Sequence, residues 1–113
     1  MDCIFCRIVA GEIPAEIVFQ DAEFLAFHDI HPQAPVHILI VPRAHIASMN
    51  EVTDRQKSLL GKLLLTAKKV AEKENIAEKG YRLTINCGPD GGQIVPHLHL
   101  HLMGGRRLAD LMC

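Results

Sequence analysis

The chain has 113 residues, 49% apolar and 22% charged, with four Phe, one Tyr, no Trp and a net charge of −1. That length predicts one domain, able to bury a core without disulfide staples. The charge gives no sign of bulk attraction to nucleic acid or to a membrane surface, and the scarcity of aromatics argues against a base-stacking platform.

The first residues lack a basic segment followed by an apolar run, and no apolar stretch is long enough to span a bilayer. The expected compartment is therefore the cytoplasm, where four cysteines stay reduced and metal binding is a better default than disulfides.

In chain order, a short helix is expected over residues 3–10, with Asp2 as its cap and Gly11 as its stop. Ile4, Phe5 and Ile8 give it an apolar stripe, and Cys3 and Cys6 fall on one face of the same turn. Pro14 ends the segment. Residues 16–19 and 24–27 read as two strands of a hairpin. Pro32 and Pro35 make residues 29–35 a loop. Residues 36–41 are apolar on both faces apart from His37, the pattern of a central buried strand. Pro42 closes that strand, and a loop with Arg43, His45 and Asn50 follows.

Thr53-Asp54-Arg55-Gln56 matches a capping box, and the helix after it runs to about residue 75. Leu60, Leu63, Leu64, Ala67, Val70 and Ala71 form its expected inner stripe, with Lys62, Lys69 and Lys73 on solvated faces. Gly61 costs this helix about 1 kcal/mol against Ala, for which close backbone packing is one reason. Residues 81–87 read as a fourth strand, ending around Asn86. The turn-rich Gly88-Pro89-Asp90-Gly91-Gly92-Gln93 has neither dinucleotide-binding nor P-loop spacing.

The last strand is expected in His97-Leu98-His99-Leu100-His101-Leu102-Met103. A period of two puts three imidazoles on one face and three leucines on the other. The leucines can pack on a helix, whereas the histidines need water, a metal or an anion. At about 3.3 Å per residue the outer histidines lie about 13 Å apart, too far for one metal to gather all three easily. A neutral imidazole is a good nucleophile near pH 7 once an acceptor holds one ring N–H and frees the other nitrogen. The element order, with its short strand connections, predicts an α+β fold. It is a five-stranded antiparallel sheet with one long and one short helix, the helices on one side.

The histidine strand with Gly104-Gly105-Arg106 after it closely resembles the signature of the histidine-triad (HIT) nucleotide hydrolases and transferases. The resemblance covers almost the whole chain, as a single HIT domain over residues 1–113. The glycine pair after Met103 points to the Hint-like branch of purine nucleoside phosphoramidases and nucleotide-binding proteins. It implies hydrolysis of purine nucleoside 5′-phosphate derivatives at the α-phosphorus, through a nucleotidyl-histidine on His99. His101 would assist the phosphate or the leaving group, and His37 would orient the pair. Read alone, such a histidine is more often a satisfied core residue than a functional one.

The resemblance also assigns the base pocket to Phe5, Ile8, Phe27, His28 and Ile30, which composition alone makes core residues. It puts Asp29 on the ribose, Asn86 on a phosphate oxygen or the ribose, and Gln93 among the substrate-binding residues; on their own Asp29 and Asn86 are ordinary loop residues. Ile94 stands where this branch commonly has a serine, so a side-chain hydrogen bond to a leaving nitrogen is missing. The branch's tryptophan-containing tail is absent too.

Cys3, Cys6, His45 and His97 compose a Cys₂His₂ set of the kind structural zinc favours. From spacing alone the C-x-x-C pair is equally two buried small apolar residues. Many bacterial relatives hold zinc with this type of set, and the resemblance therefore implies zinc here. It also implies a two-fold homodimer joined through the long helix and the fourth strand. Two readings compete with the hydrolase: a non-catalytic purine-nucleotide-binding module, and a zinc-stabilised interaction protein. Cys87 and Cys113 have no evident partners and read as a packed residue and a loose terminal thiol.

Overall fold

The computed structural model describes residues 3–109. A short helix α1 (Ile4–Val9) precedes strands β1 (Ile17–Gln20), β2 (Phe24–His28) and β3 (Val36–Pro42). Two 3₁₀ turns (Met49–Glu51 and Asp54–Gln56) lead into the long helix α2 (Lys57–Lys73), and strands β4 (Tyr81–Thr84) and β5 (Leu100–Gly104) complete the order. All five strands form one antiparallel sheet in the order β1-β2-β3-β5-β4. This is the expected α+β sheet with one long and one short helix.

β3 lies at its centre and is buried from His37 to Pro42. On one face Phe24, Ala26, Ile38, Ile40, Leu100 and Leu102 pack under Leu63, Ala67, Val70 and Ala71 of α2. On the other, Leu25, Phe27, Leu39 and Val41 pack against Cys3 and Phe5 at α1. The two helices therefore cover opposite faces, which corrects the expectation that they share one side. β2 and β3 are apolar on both faces because each face has its own helix. Leu100 and Leu102 of the histidine strand do face α2, and truncating either to Ala should cost roughly 2–5 kcal/mol.

Several boundaries differ from the periodic reading. Asp2, expected as the helix cap, lies outside the described residues, as does Cys113. The N-cap position belongs to Cys3, whose sulfur accepts from the Cys6 N–H at 3.4 Å. The capping box of Thr53 and Gln56 forms, but over a 3₁₀ turn, so α2 begins at Lys57 and ends at Lys73. Leu64 is 49% exposed rather than on the inner stripe, where Thr66 sits instead. A Cβ on Gly61 would meet nothing within 4 Å, so no close packing explains that glycine.

β4 stops at Thr84, so Asn86 and Cys87 lie in the following loop. β5 begins only at Leu100. The reason is local: the N–H of Leu98 donates to Ile46 at 2.6 Å and that of His97 to Val95 at 2.8 Å. Those bonds draw the chain toward the 43–48 loop and leave His97 and His99 ahead of the ladder.

Candidate active site

The sheet face under α1 opens into a cavity of about 490 Å³, a size suited to a small organic ligand. Phe5, Ile8, Phe27, His28, Asp29, Ile30, Asn86, His37, His99 and His101 all line it. Ile4, Ile13 and Leu39, ordinary apolar positions in the sequence, also line it, as does Ile94, which stands in the place of the branch's serine. Ile30 is 82% and Ile94 is 91% exposed at the cavity. Two isoleucines left in water beside one pocket mark an apolar contact surface.

Strand register brings two histidines together. His37 faces Met103 and Leu39 faces His101 across β3 and β5, so His37 and His101 are diagonal neighbours on one face. Nε2 of His37 is 2.9 Å from Nδ1 of His101. The Gln33 N–H donates to Nδ1 of His37 at 3.0 Å. A neutral His37 therefore carries its hydrogen on Nε2 and donates it to Nδ1 of His101, leaving His101 with an Nε2–H. The Asp29 carboxylate, 3.4 Å from Nε2 of His37, faces the same hydrogen.

His99 is held from the other side. Its Nδ1 lies 2.7 Å from the carbonyl oxygen of His97, so Nδ1–H donates and Nε2 keeps its lone pair. Phe5 meets the His99 ring edge-on at 5.0 Å between centroids, and His101 stands at the same separation.

Burial pushes His99 below the ordinary imidazole value, against the opposing pull of its bond to His97 and the Asp29 charge. It does the same to His37, with Asp29 again opposing. His101 is pushed to about 4 by burial, then by His99 and His37, while Asp29 pulls the other way. All three rings are thus neutral at pH 7: a nucleophilic nitrogen beside a ring N–H donor.

The loop after β4 braces this face. Asn86 Nδ2 donates to the Gly91 carbonyl at 2.7 Å, leaving a second amide hydrogen and Oδ1. A Cβ on Gly91 would collide with the Cys87 backbone, and Gly92 has a φ of 78°, so both positions need glycine. Gln93 is not at the cavity wall. Its Nε2 donates to Ala47 and Val95, and its Oε1 accepts from Gly88, so its side chain ties the loop to its neighbours.

Cys3, Cys6, His45 and His97 form a second cluster, with their ligand atoms all within 4.8 Å of one another. His97 Nε2–H donates to the Pro42 carbonyl at 2.8 Å, which turns the lone pair of Nδ1 into the cluster. That nitrogen is 3.4 Å from Cys3 Sγ, 3.6 Å from Cys6 Sγ and 3.2 Å from His45 Nδ1; Cys6 Sγ is 3.2 Å from His45 Nδ1. Bonds of about 2.0 Å to nitrogen and 2.3 Å to sulfur in a tetrahedron place zinc ligands about 3.3–3.8 Å apart. The donor set and its spacing therefore fit zinc.

Residues 10–108 match the family model described as the HIT domain. The chain is 56% identical over 108 residues to an uncharacterized HIT-like protein of Synechococcus elongatus, covering 96% of this chain and 94% of that one. It is 48% identical over 111 residues to the purine nucleoside phosphoramidase of Escherichia coli, covering 98% and 93%. Among solved structures, a HIT family hydrolase from Legionella pneumophila superposes with a TM-score of 0.94 at 52% identity, covering 96% and 97%. A zinc-bound histidine triad family protein from Mycobacterium smegmatis superposes with a TM-score of 0.79 at 29% identity, covering 100% and 81%.

Proposed function

This chain belongs to the HIT domain family and is a family hydrolase; from that premise we propose that it cleaves purine nucleoside 5′-phosphate derivatives at the α-phosphorus. The phosphoramidase name of the Escherichia coli relative supports the substrate class. The observation that carries the chemistry is the bond from His99 Nδ1–H to the His97 carbonyl, which leaves Nε2 free to attack.

In the first step Nε2 of His99 bonds to the α-phosphorus, and the bond to the leaving atom breaks, its electron pair departing with that atom. The Nε2–H of His101 donates to a phosphoryl oxygen or the leaving atom as charge develops. Water then attacks phosphorus, breaks the nitrogen–phosphorus bond and releases the 5′-monophosphate. The purine sits among Phe5, Ile8, Phe27, His28 and Ile30, the ribose on Asp29, and the phosphate beside Asn86. The position of these side chains around one cavity supports that assignment. Gln93 acts indirectly, through the loop it ties down.

Cys3, Cys6, His45 and His97 would hold a structural zinc, supported by their donor spacing and by the zinc-bound mycobacterial neighbour. When bound, that zinc would add folding energy at the root of the catalytic strand. The working unit is a cytoplasmic homodimer of single HIT domains spanning residues 1–113. The dimer is supported by apolar side chains left exposed on α2 and on the edge strand β4.

The test is single-turnover trapping with adenosine 5′-phosphoramidate. Wild-type protein should yield an adenylylated peptide containing His99, and His99→Ala should keep its fold while losing hydrolysis. Near-normal turnover by His99→Ala would overturn the assignment.

A further inference from the structure

A second concavity, of about 240 Å³, lies at the Tyr81–Gly104 end of β4 and β5 and is lined by Lys79, Arg82, Arg106 and Arg107 around Tyr81 and Met103. Four cations gather there in a chain of net charge −1. Among the described residues no carboxylate lines the groove, and none pairs with Lys79, Arg82 or Arg106.

Two of the guanidinium groups are fixed by neutral partners. Arg82 donates to the Ala109 carbonyl at 2.6 Å, and Arg106 donates to the carbonyls of Arg107 at 3.0 Å and Gln33 at 3.2 Å. Carbonyl oxygens orient a guanidinium without cancelling its charge, and each arginine retains further N–H donors of its five. The result is a preorganised cationic surface.

Register connects this groove to the catalytic strand. Arg82 faces Met103 across β4 and β5, and Thr84 faces His101. Arg82 is therefore the diagonal neighbour of His101 on β4, as His37 is on β3. Such neighbours have Cα atoms about 7–8 Å apart, within reach of a long side chain.

Building on the hydrolase reading, we propose that this groove is a subsite for phosphate groups carried by the leaving half of the substrate. A leaving group that departs as a polyphosphate bears new negative charge on its bridging oxygen, together with the electron pair of the broken phosphorus–oxygen bond. Lys79, Arg82, Arg106 and Arg107 bind the phosphates beyond that oxygen. A neutral leaving group such as ammonia makes no use of them. The groove thus sets preference among leaving groups, while the apolar cavity holds the nucleoside.

The experiment compares kcat/KM for diadenosine tetraphosphate and adenosine 5′-phosphoramidate in wild type, Arg82→Gln and Lys79→Gln. The expected result is a roughly tenfold fall, in each variant, of the ratio between the tetraphosphate and the phosphoramidate, the scale of one lost charge-assisted contact. Lys79→Gln keeps the test intact if Arg82→Gln fails to fold for want of its bond to Ala109. An unchanged ratio overturns the subsite and leaves the arginines as ties for the tail. Wild type that cleaves the phosphoramidate and spares the tetraphosphate overturns it as well. If wild type cleaves neither, the hydrolase reading fails, and titration with inorganic tripolyphosphate decides on the groove alone. Saturable binding weakened by both variants supports an anion site; no binding overturns it.

Discussion

His37 and His101 share one hydrogen, with Nε2 of the first 2.9 Å from Nδ1 of the second, and its position is set four residues upstream. The Gln33 N–H occupies Nδ1 of His37 and forces the hydrogen onto the other nitrogen. Backbone carbonyls fix the other two rings: His97 O takes Nδ1–H of His99, and Pro42 O takes Nε2–H of His97. Main-chain groups cannot change tautomer, so these rings are ordered before any ligand arrives.

The first prediction concerns that order. His37→Phe removes the hydrogen that His101 Nδ1 accepts, so His101 is free to place its own hydrogen on the wrong nitrogen. We expect kcat to fall on the order of 10²-fold, the low end for a group engaged in proton transfer, with KM changing little. His99→Ala should fall much further. Equal losses in the two variants would mean that His37 matters to the fold rather than to the placement of the proton.

The second prediction is the pH dependence. His101 is neutral in the folded protein down to about pH 4, whereas a free imidazole protonates near 6.5. His37 is shifted in the same direction. The acid limb of kcat/KM should therefore lie below pH 6.5, activity holding as pH falls from 7 to 6. Stability has the same sign. Between pH 6.5 and 4 the unfolded chain binds protons that folded His101 refuses, so stability declines as pH falls through that window and is unaffected above it. Denaturant midpoints at pH 7.5, 6 and 5 check this; rising stability toward pH 5 would contradict the shift.

Much of this site was legible in the sequence because strand periodicity is a local property. Alternation of histidine and leucine placed His99 and His101 opposite Leu100 and Leu102, and the buried pattern of residues 36–41 made His37 central. The ladder boundaries were not legible. Leu98 donates to Ile46, a contact across more than fifty residues that no local pattern encodes. The side on which α1 packs was hidden for the same reason, since β2 and β3 are apolar on both faces. Gln93 sits in the right loop, but whether its amide faces substrate or backbone depends on Ala47 and Val95. The basic groove escaped because Arg82 and Arg106 join only through strand pairing and the turn after β5.

The third prediction concerns metal. Cys3, Cys6, His45 and His97 draw on α1, the loop after β3 and the segment before β5, so zinc would link distant parts of the chain. Protein purified without chelator or a metal-affinity tag should carry about one zinc per chain, the occupancy of a single four-ligand site. Cys3→Ser should lower Tm more than it lowers turnover per folded molecule, whereas His97→Ala should damage both, because the His97 carbonyl segment orients His99. Metal-free protein that takes up no zinc on titration, with Tm unmoved by Cys3→Ser, would leave the pair as ordinary thiols.

The fourth prediction is the assembly. Leu64 and Leu65 on α2 are 49% and 60% exposed, and Leu83 on β4 is 37% exposed. Leu83 faces Leu102 and hence the α2 side of the sheet, while β4 is the sheet's edge strand. An apolar cluster beside an open edge is the surface a two-fold partner would cover, and closed pairs are the commonest oligomers. Gly61, with open space around its Cα, lies one turn from Leu64 and Leu65 and would let a partner approach. Light scattering at micromolar concentration should return twice the 12.5 kDa chain mass. Leu65→Glu should return a single chain mass, because a carboxylate buried in an apolar contact without a partner is strongly disfavoured. Leu65 lies outside the core in the single chain, so Leu65→Glu should remain folded by circular dichroism. A wild-type protein that scatters as one chain would remove the homodimer, and with it the reason for these three exposed leucines.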